Sequence, residues 1–252
     1  MKSKDKIVVV TGGAGGIGAA LCRRFAREGA KAVVCADMDG DAANQLAAEI
    51  GHTGFCCDVA SESDIVDLID HTEQTIGPID LFCSNAGIMV KGGVEVHNGE
   101  WQRIWEVNVM SHVYAARALM DRMAGRGGGY FVITASAAGL LSQIGSAPYS
   151  VTKHAAVGLA ENLAITYGEK NIRVSVICPQ AVATAMTRQG GGVAAVDGLI
   201  GADKVADDAI DGIAEERFLI LPHPEVAEYM RRKTADYDRW LSGMKRLQQR
   251  FL

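Results

Sequence analysis

The sequence predicts one α/β domain, a doubly wound parallel sheet of seven strands with helices on both faces. Three observations lead there. Short apolar, β-branched runs recur seven times, at residues 7–11, 32–36, 54–58, 79–84, 130–136, 173–178 and 218–221. Stretches with apolar residues three and four apart, such as 18–28, 64–76 and 101–123, lie between them and have the period of helices. The runs lack polar alternation, which marks strands buried on both faces between two helical layers.

Each element adds something to this frame. The first run leads into Thr11-Gly12-Gly13-Ala14-Gly15-Gly16-Ile17-Gly18, which opens a helix. Glycines allow a sharp turn and close approach to a pyrophosphate, whose charge the helix N-terminus favours. The second run ends in Asp37, about 20 residues beyond the glycines, where a carboxylate can accept hydrogen bonds from the ribose hydroxyls of an adenosine. It would repel a 2′-phosphate, and its neighbours Ala14, Gly15 and Met38 include no Lys or Arg. The expected cofactor is therefore NAD. The third run closes on Asp58-Val59, the fourth leads into Ser84-Asn85-Ala86-Gly87, and Asn108 falls within the 101–123 helix.

Ser136 ends the fifth run, thirteen residues before Tyr149. Tyr149 and Lys153 stand four apart, on one face of a helix expected to begin after Pro148. A phenol is a poor base at neutral pH, and a fixed cation beside it favours the phenolate. Ser136 could bond the same substrate oxygen. The sixth run ends in Cys178-Pro179-Gln180. Residues 184–215 read as a mobile substrate loop, rich in Gly, Ala and Val in its first part. After the last run, 223–252 form a C-terminal helical extension. Its apolar stripe through Val226, Met230, Tyr237, Trp240, Leu241, Met244, Leu247 and Phe251 is interrupted near Thr234, and residues 228–252 hold seven Lys/Arg against three Asp/Glu. Such a basic amphipathic stripe can pack on its own subunit, cover a partner subunit or the substrate mouth, or lie on a membrane.

Composition narrows the class. With 48% hydrophobic and 22% charged residues the chain is a globular core, and a net charge of -5 invites no nucleic acid. No shift in composition divides residues 1–252, so one NAD-binding catalytic domain is expected. The six cysteines have no metal-ligand spacing and read as buried reduced thiols; no metal site is expected. The MKSKDK start is too short for a signal peptide, and no apolar run approaches the ~20 residues of a membrane helix. A cytoplasmic protein without a membrane partner is the expectation. His97, His112 and His154 are given no direct chemistry.

These motifs together resemble the short-chain dehydrogenase/reductase family, in the branch with a TGxxxGxG glycine motif. The matches are Thr11-Gly12, Gly16-Ile17-Gly18, Asp58-Val59, the Asp80–Gly87 segment, Asn108, Ser136, Tyr149, Lys153, Cys178-Pro179 and Thr184, in order over about three quarters of the chain. The resemblance implies that Tyr149 is the general acid/base and Ser136 orients the substrate oxygen. Lys153 lowers the tyrosine pKa and holds the nicotinamide ribose, and Asn108 anchors a proton-relaying water. It implies a cofactor site of Gly12, Gly16, Ile17, Gly18, Asp37, Asp58, Val59, Asn85, Ala86, Gly87, Pro179, Val182 and Thr184, with Tyr149 and Lys153.

Three departures stand out. Ser84 replaces the first Asn of the usual Asn-Asn-Ala-Gly. Gln180 follows Pro179 where the family has Gly. The usual Val-Asp-Gly-Gly tail, which helps close a tetramer, is absent, so a homodimer is expected alongside the homotetramer.

The expected pocket segments, 88–90, 137–144, 180–182 and the 184–201 part of the loop, are apolar, and Arg188 is the one cation in 184–201, so no Arg/Lys cluster is expected there. A small-molecule substrate follows: a bulky, uncharged, lipophilic secondary alcohol or ketone. An epimerase of nucleotide sugars would need TGxxGxxG spacing and a longer substrate domain. The alternative from another class is a catalytically silent, NAD-sensing scaffold, against which the intact Asn108, Ser136, Tyr149 and Lys153 stand.

Overall fold

The computed structural model describes residues 1–188 and 192–251. Seven parallel strands form one sheet: β1 (Ile7–Thr11), β2 (Ala32–Asp37), β3 (Thr53–Cys56), β4 (Leu81–Ser84), β5 (Gly129–Thr134), β6 (Ile172–Ile177) and, after a short pair met first in the chain, β9 (Leu219–Ile220). Their spatial order is β3-β2-β1-β4-β5-β6-β9, reversing direction beside β1 as a doubly wound sheet does. The short pair is β7 (Val182–Ala183) with β8 (Ile200–Gly201).

Alternate residues of the strands point to opposite faces, and each face has its own core. Val9, Val34, Phe82 and Phe131 turn one way, toward α3 (Glu62–Thr75), α5 (Ser111–Gly125) and α6 (Ala147–Tyr167). Phe82 and Phe131 stack there with centroids 5.6 Å apart. Val8, Val10, Val33 and Tyr130 turn the other way, toward α1 (Gly16–Arg27) and α7 (Ala202–Ala214). Burying each large apolar side chain is worth about 1.5–3 kcal/mol, which makes both faces strong constraints on register. Helix α2 (Gly40–Ile50) starts where Asp39 accepts from the Ala42 N–H at 3.0 Å, and stops at Gly51, whose φ of 74° few other residues adopt.

Four expectations shift. β3 is only half-buried because it is the sheet's edge, and it stops short of Asp58. The single 101–123 helix is α4 (Asn98–Trp105), a π-helical turn at Glu106–Met110, and α5. Much of the expected 184–215 loop is α7, packed on α1 through Val205, Ala209 and Ile213. Cys56 is exposed at the end of β3, whereas the other five cysteines are buried.

The C-terminal extension is two helices, α8 (Glu225–Ala235) and α9 (Tyr237–Phe251), broken at Asp236 in extended conformation. Lys233 joins them. It is 9% exposed, lies 5.5 and 5.0 Å from the Tyr237 and Trp240 ring centroids, and donates to the Leu140 carbonyl at 2.7 Å. No helix among the described residues is long and apolar enough to cross a membrane.

Candidate active site

The cleft opens at the carboxyl ends of β1, β4, β5 and β6, where a doubly wound sheet places its ligands. On one side is the glycine turn. Gly12 and Gly16 have φ of 63° and 51°, and an added Cβ on Gly18 would stand 1.9 Å from the Gly12 carbonyl oxygen. Gly15 has open space where its side chain would be. No side chain caps α1 and no acid occupies its first turn, so its first N–H groups remain free for an anion. This cradle fits a dinucleotide pyrophosphate.

Asp37, at the end of β2, accepts from the Ala14 N–H at 3.0 Å and the Asp39 N–H at 3.2 Å. Both bonds hold the carboxylate at the rim of the turn. Asp58 accepts from the Ala60 N–H at 3.0 Å, just ahead of Val59, which is buried. Across the cleft Asn85 donates to the Thr11 carbonyl at 3.0 Å, while Thr11 Oγ1 accepts from the N–H groups of Asn85 and Ala86. The ends of β1 and β4 are thus stitched together. Thr184 reaches back over the turn: a Cβ on Gly16 would stand 3.1 Å from its methyl group.

Ser136, Tyr149 and Lys153, the candidate reacting groups, gather next to this cradle. Ser136 lies two residues beyond β5, contrary to its expected place in the strand, and caps a 3-10 turn over Ala137–Gly139. Its hydroxyl accepts from the Ala138 N–H at 3.1 Å and donates to the Pro179 carbonyl at 3.3 Å, and it lies close enough to Tyr149 to act on the phenol's pKa. Tyr149 and Lys153 occupy successive turns of α6, whose first turn contains Pro148. Lys153 is 3% exposed, donates to the Thr134 carbonyl at 2.9 Å and lies 5.6 Å from the Tyr149 ring centroid.

Burial dominates the electrostatics. It pushes the Tyr149 phenol up, against the Ser136 hydroxyl, and pushes Lys153 down to about 8. Desolvation of the phenolate is the largest influence on Tyr149, as expected for a phenol closed off from water.

Asn108 sits inside the π-helical turn, a distortion frequent at functional sites. Its side chain accepts from the Ile88 N–H at 2.8 Å, donates to the Ile88 carbonyl at 2.9 Å and reaches Thr152 Oγ1 at 3.2 Å. It clamps the strand β4 exit against α6. Gly87 fits between Asn108 and Lys153, each 3.3 Å from where its Cβ would be.

Both local departures from the family pattern have partners that sequence spacing did not reveal. Ser84 hydrogen-bonds His112 Nδ1 at 2.6 Å, and burial, helped by the Lys153 charge, pushes that imidazole down to about 3. The Gln180 N–H donates to Nδ1 of His223, which is 2% exposed, so a residue of the C-terminal extension fixes the backbone after Pro179. Gln180 lines the cavity, and its side-chain Oε1 is buried.

That cavity, about 810 Å³, runs from Ser136 through Leu141 and Gln180 to Val196 and the α8–α9 pair. Residues 88–90 do not line it; they pack with Ile104 and Ala138 against Tyr149. The expectation of a wall without a cationic cluster is overturned, because Arg231, Arg232, Arg239 and Arg246 all line it. Those arginines come from α8 and α9, whose apolar stripe contributes Trp240, Met244 and Leu247 to the same cavity.

Comparison with known proteins agrees with this geometry. A family model described as short chain dehydrogenase matches residues 6–191. The chain belongs to the short-chain dehydrogenase/reductase family, a family of oxidoreductases. This dehydrogenase/reductase is 34% identical to 1-deoxy-11-beta-hydroxypentalenate dehydrogenase of Streptomyces exfoliatus, over 96% of this chain and 92% of that one. It is 32% identical to a mitochondrial borneol dehydrogenase of Lavandula x intermedia, over 95% and 87%. A short chain dehydrogenase/reductase of Burkholderia phymatum, solved in complex with NAD, superposes with a TM-score of 0.88 at 28% identity, covering 94% of this chain and 96% of that one.

Proposed function

We propose that the protein is an NAD-dependent dehydrogenase/reductase that interconverts a lipophilic secondary alcohol and its ketone, with Tyr149 as general acid/base. The observation that carries this reading is the convergence of Ser136, Tyr149 and Lys153 between the glycine cradle and a cavity that fits a small organic molecule. The relatives whose names denote dehydrogenases of pentalenate and borneol alcohols support the reaction class.

Each residue then has a defined task. Gly12, Gly16, Ile17 and Gly18 cradle the pyrophosphate, Asp37 holds the adenosine ribose, and Asp58 with Val59 flanks the adenine. Asn85, Ala86, Gly87, Pro179, Val182 and Thr184 line the inner cleft. Bound there, a nicotinamide supplies or accepts the hydride. Ser136 donates a hydrogen bond to the substrate oxygen and holds it beside the Tyr149 hydroxyl. In oxidation Tyr149 takes the alcohol proton at its Oη; in reduction it gives one to the carbonyl oxygen. Lys153, with donor capacity beyond the Thr134 carbonyl, fits the nicotinamide ribose, and its charge favours the phenolate once a substrate and cofactor are aligned.

Asp37 carries the choice of NAD over NADP. Its carboxylate is fixed at the rim by two backbone N–H groups, and residues 38 to 41 add two further acids and no cation. The test is NAD(P) reduction over a panel of alicyclic secondary alcohols, with Tyr149→Phe beside the native protein. Turnover with NAD that Tyr149→Phe removes is the expected result. NADH binding without turnover of any alcohol or ketone would instead favour the silent scaffold.

A further inference from the structure

We infer that the substrate carries a carboxylate, received at the cavity mouth by Arg239 and Arg246 of α9. This inference rests on the proposed reading of the cavity as the substrate site, and it names the far end of that substrate.

The cavity has two chemically different ends. At the inner end stand Ser136 and Gln180. Along the middle, Leu141, Val196, Trp240 and Met244 supply an apolar wall. At the mouth the lining includes four arginines against Glu228 and Asp236, an excess of +2 in a chain whose net charge is -5.

The four arginines are not equivalent. Arg231 and Arg232 both pair with Glu228, at 2.5 and 2.7 Å, so one carboxylate already serves two cations. Asp236 caps α9, accepting from the Arg239 backbone N–H at 3.0 Å. The Arg239 and Arg246 guanidinium groups make no ion pair within 4.0 Å among the described residues. They stand seven residues apart, two helical turns, on the edge of the apolar stripe formed by Trp240, Met244 and Leu247.

Between them lies Gly243. A Cβ there would meet only Arg246 Nη2, at 3.8 Å, so the helix presents a notch flanked by two cations. Arg pairs carboxylates through parallel N–H donors, which suits this setting better than a point charge would. An amphipathic acid fits the whole: its carbonyl or hydroxyl carbon at Ser136 and Tyr149, its body on the apolar wall, its carboxylate at the notch.

Binding to the NADH-loaded, full-length enzyme tests this without requiring turnover. The probes are decanoate and the equally long, uncharged decanamide, titrated calorimetrically at low salt. The native protein is expected to prefer decanoate. Arg239→Gln and Arg246→Gln should each lower the decanoate-to-decanamide preference about fivefold, the scale of ~1 kcal/mol for an exposed charge pair. Arg250→Gln, on the same helix outside the cavity, should leave the preference in place. A preference that survives the Arg239/Arg246 double variant, or that Arg250→Gln lowers equally, overturns the assignment. An absence of turnover on every alcohol would count against the proposed oxidoreductase reading alone, since the titration reads only the mouth.

Discussion

On the glycine-turn side of the cleft, shape is made by backbone. Three glycines, the free N–H groups of α1 and the β1–β4 stitch through Thr11 and Asn85 form the cradle, and their residues come from two short segments. On the other side, shape is made by side chains from distant parts of the chain: Ser136 and Leu141, then Gln180, then Val196, then α8 and α9. Backbone cradles tolerate almost no added atom, whereas a side-chain cavity can be repacked. The first arrangement suits a shared cofactor, the second a substrate that differs from one relative to another.

Perturbing the two sides should therefore give effects of different size and kind. The largest falls where they meet. Tyr149→Phe should lower kcat by about 10²-fold or more, the usual loss of general acid–base catalysis, with NADH binding retained. Steady-state kinetics and a fluorescence titration check it, and a near-native kcat would remove Tyr149 from the reaction.

Next is the cradle itself. Gly18→Ala puts a methyl group 1.9 Å from the Gly12 carbonyl oxygen, so the turn must move. A loss of about 1–3 kcal/mol of stability is expected from such overpacking, together with weaker NADH binding. Urea unfolding and the same titration measure both; native behaviour in each would mean that the turn is looser than its contacts imply.

Asp37→Ala tests selectivity within the same side. The preference for NAD over NADP should shrink about tenfold or more, as expected when a hydrogen bond to a charged group worth ~1.5–3 kcal/mol is lost. The kcat/KM values for the two cofactors decide this, and comparable values in the native enzyme would remove the premise.

On the substrate side, Lys233→Met removes the bond from α8 to the Leu140 carbonyl while keeping an apolar stem of similar length. KM should rise several-fold, on the scale of ~1 kcal/mol for one hydrogen bond, with NADH affinity unchanged. A change confined to NADH binding would show that α8 belongs to the cofactor side.

The last effect concerns His112, behind Ser84. Burial holds its pKa at about 3 against an ordinary 6.5, so between those values the unfolded chain binds the extra proton. The neutral imidazole therefore contributes stability above pH 6.5 that is lost as pH falls through this window. His112→Asn should flatten the decline in urea midpoint between pH 7 and pH 5. An equally steep decline would assign the acid sensitivity to other groups.

The contrast between the sides also explains what was legible. The cradle could be read in order along the sequence because glycine turns, an acid at a strand end and a helical tyrosine–lysine pair are local patterns. Seven strands were legible for the same reason, although β3 and β9 are shorter and Ser136 lies beyond β5, because chain propensity blurs where hydrogen bonding stops. His112 behind Ser84, and His223 behind Gln180, could not be found this way. Their partners lie 28 and 43 residues off, and no periodicity connects them.

What the sequence by itself determined is the frame: a parallel doubly wound sheet, the glycine turn, Asp37, and the Ser136, Tyr149 and Lys153 set, all fixed by short-range pattern. Tertiary structure decided the rest. It set the balance of pKa shifts at Tyr149 and Lys153, since desolvation depends on what covers them. It also turned a basic amphipathic tail into the wall of a cavity. Distance along the chain says nothing about which surface an amphipathic helix will cover; only packing does, because burial rewards any apolar face equally.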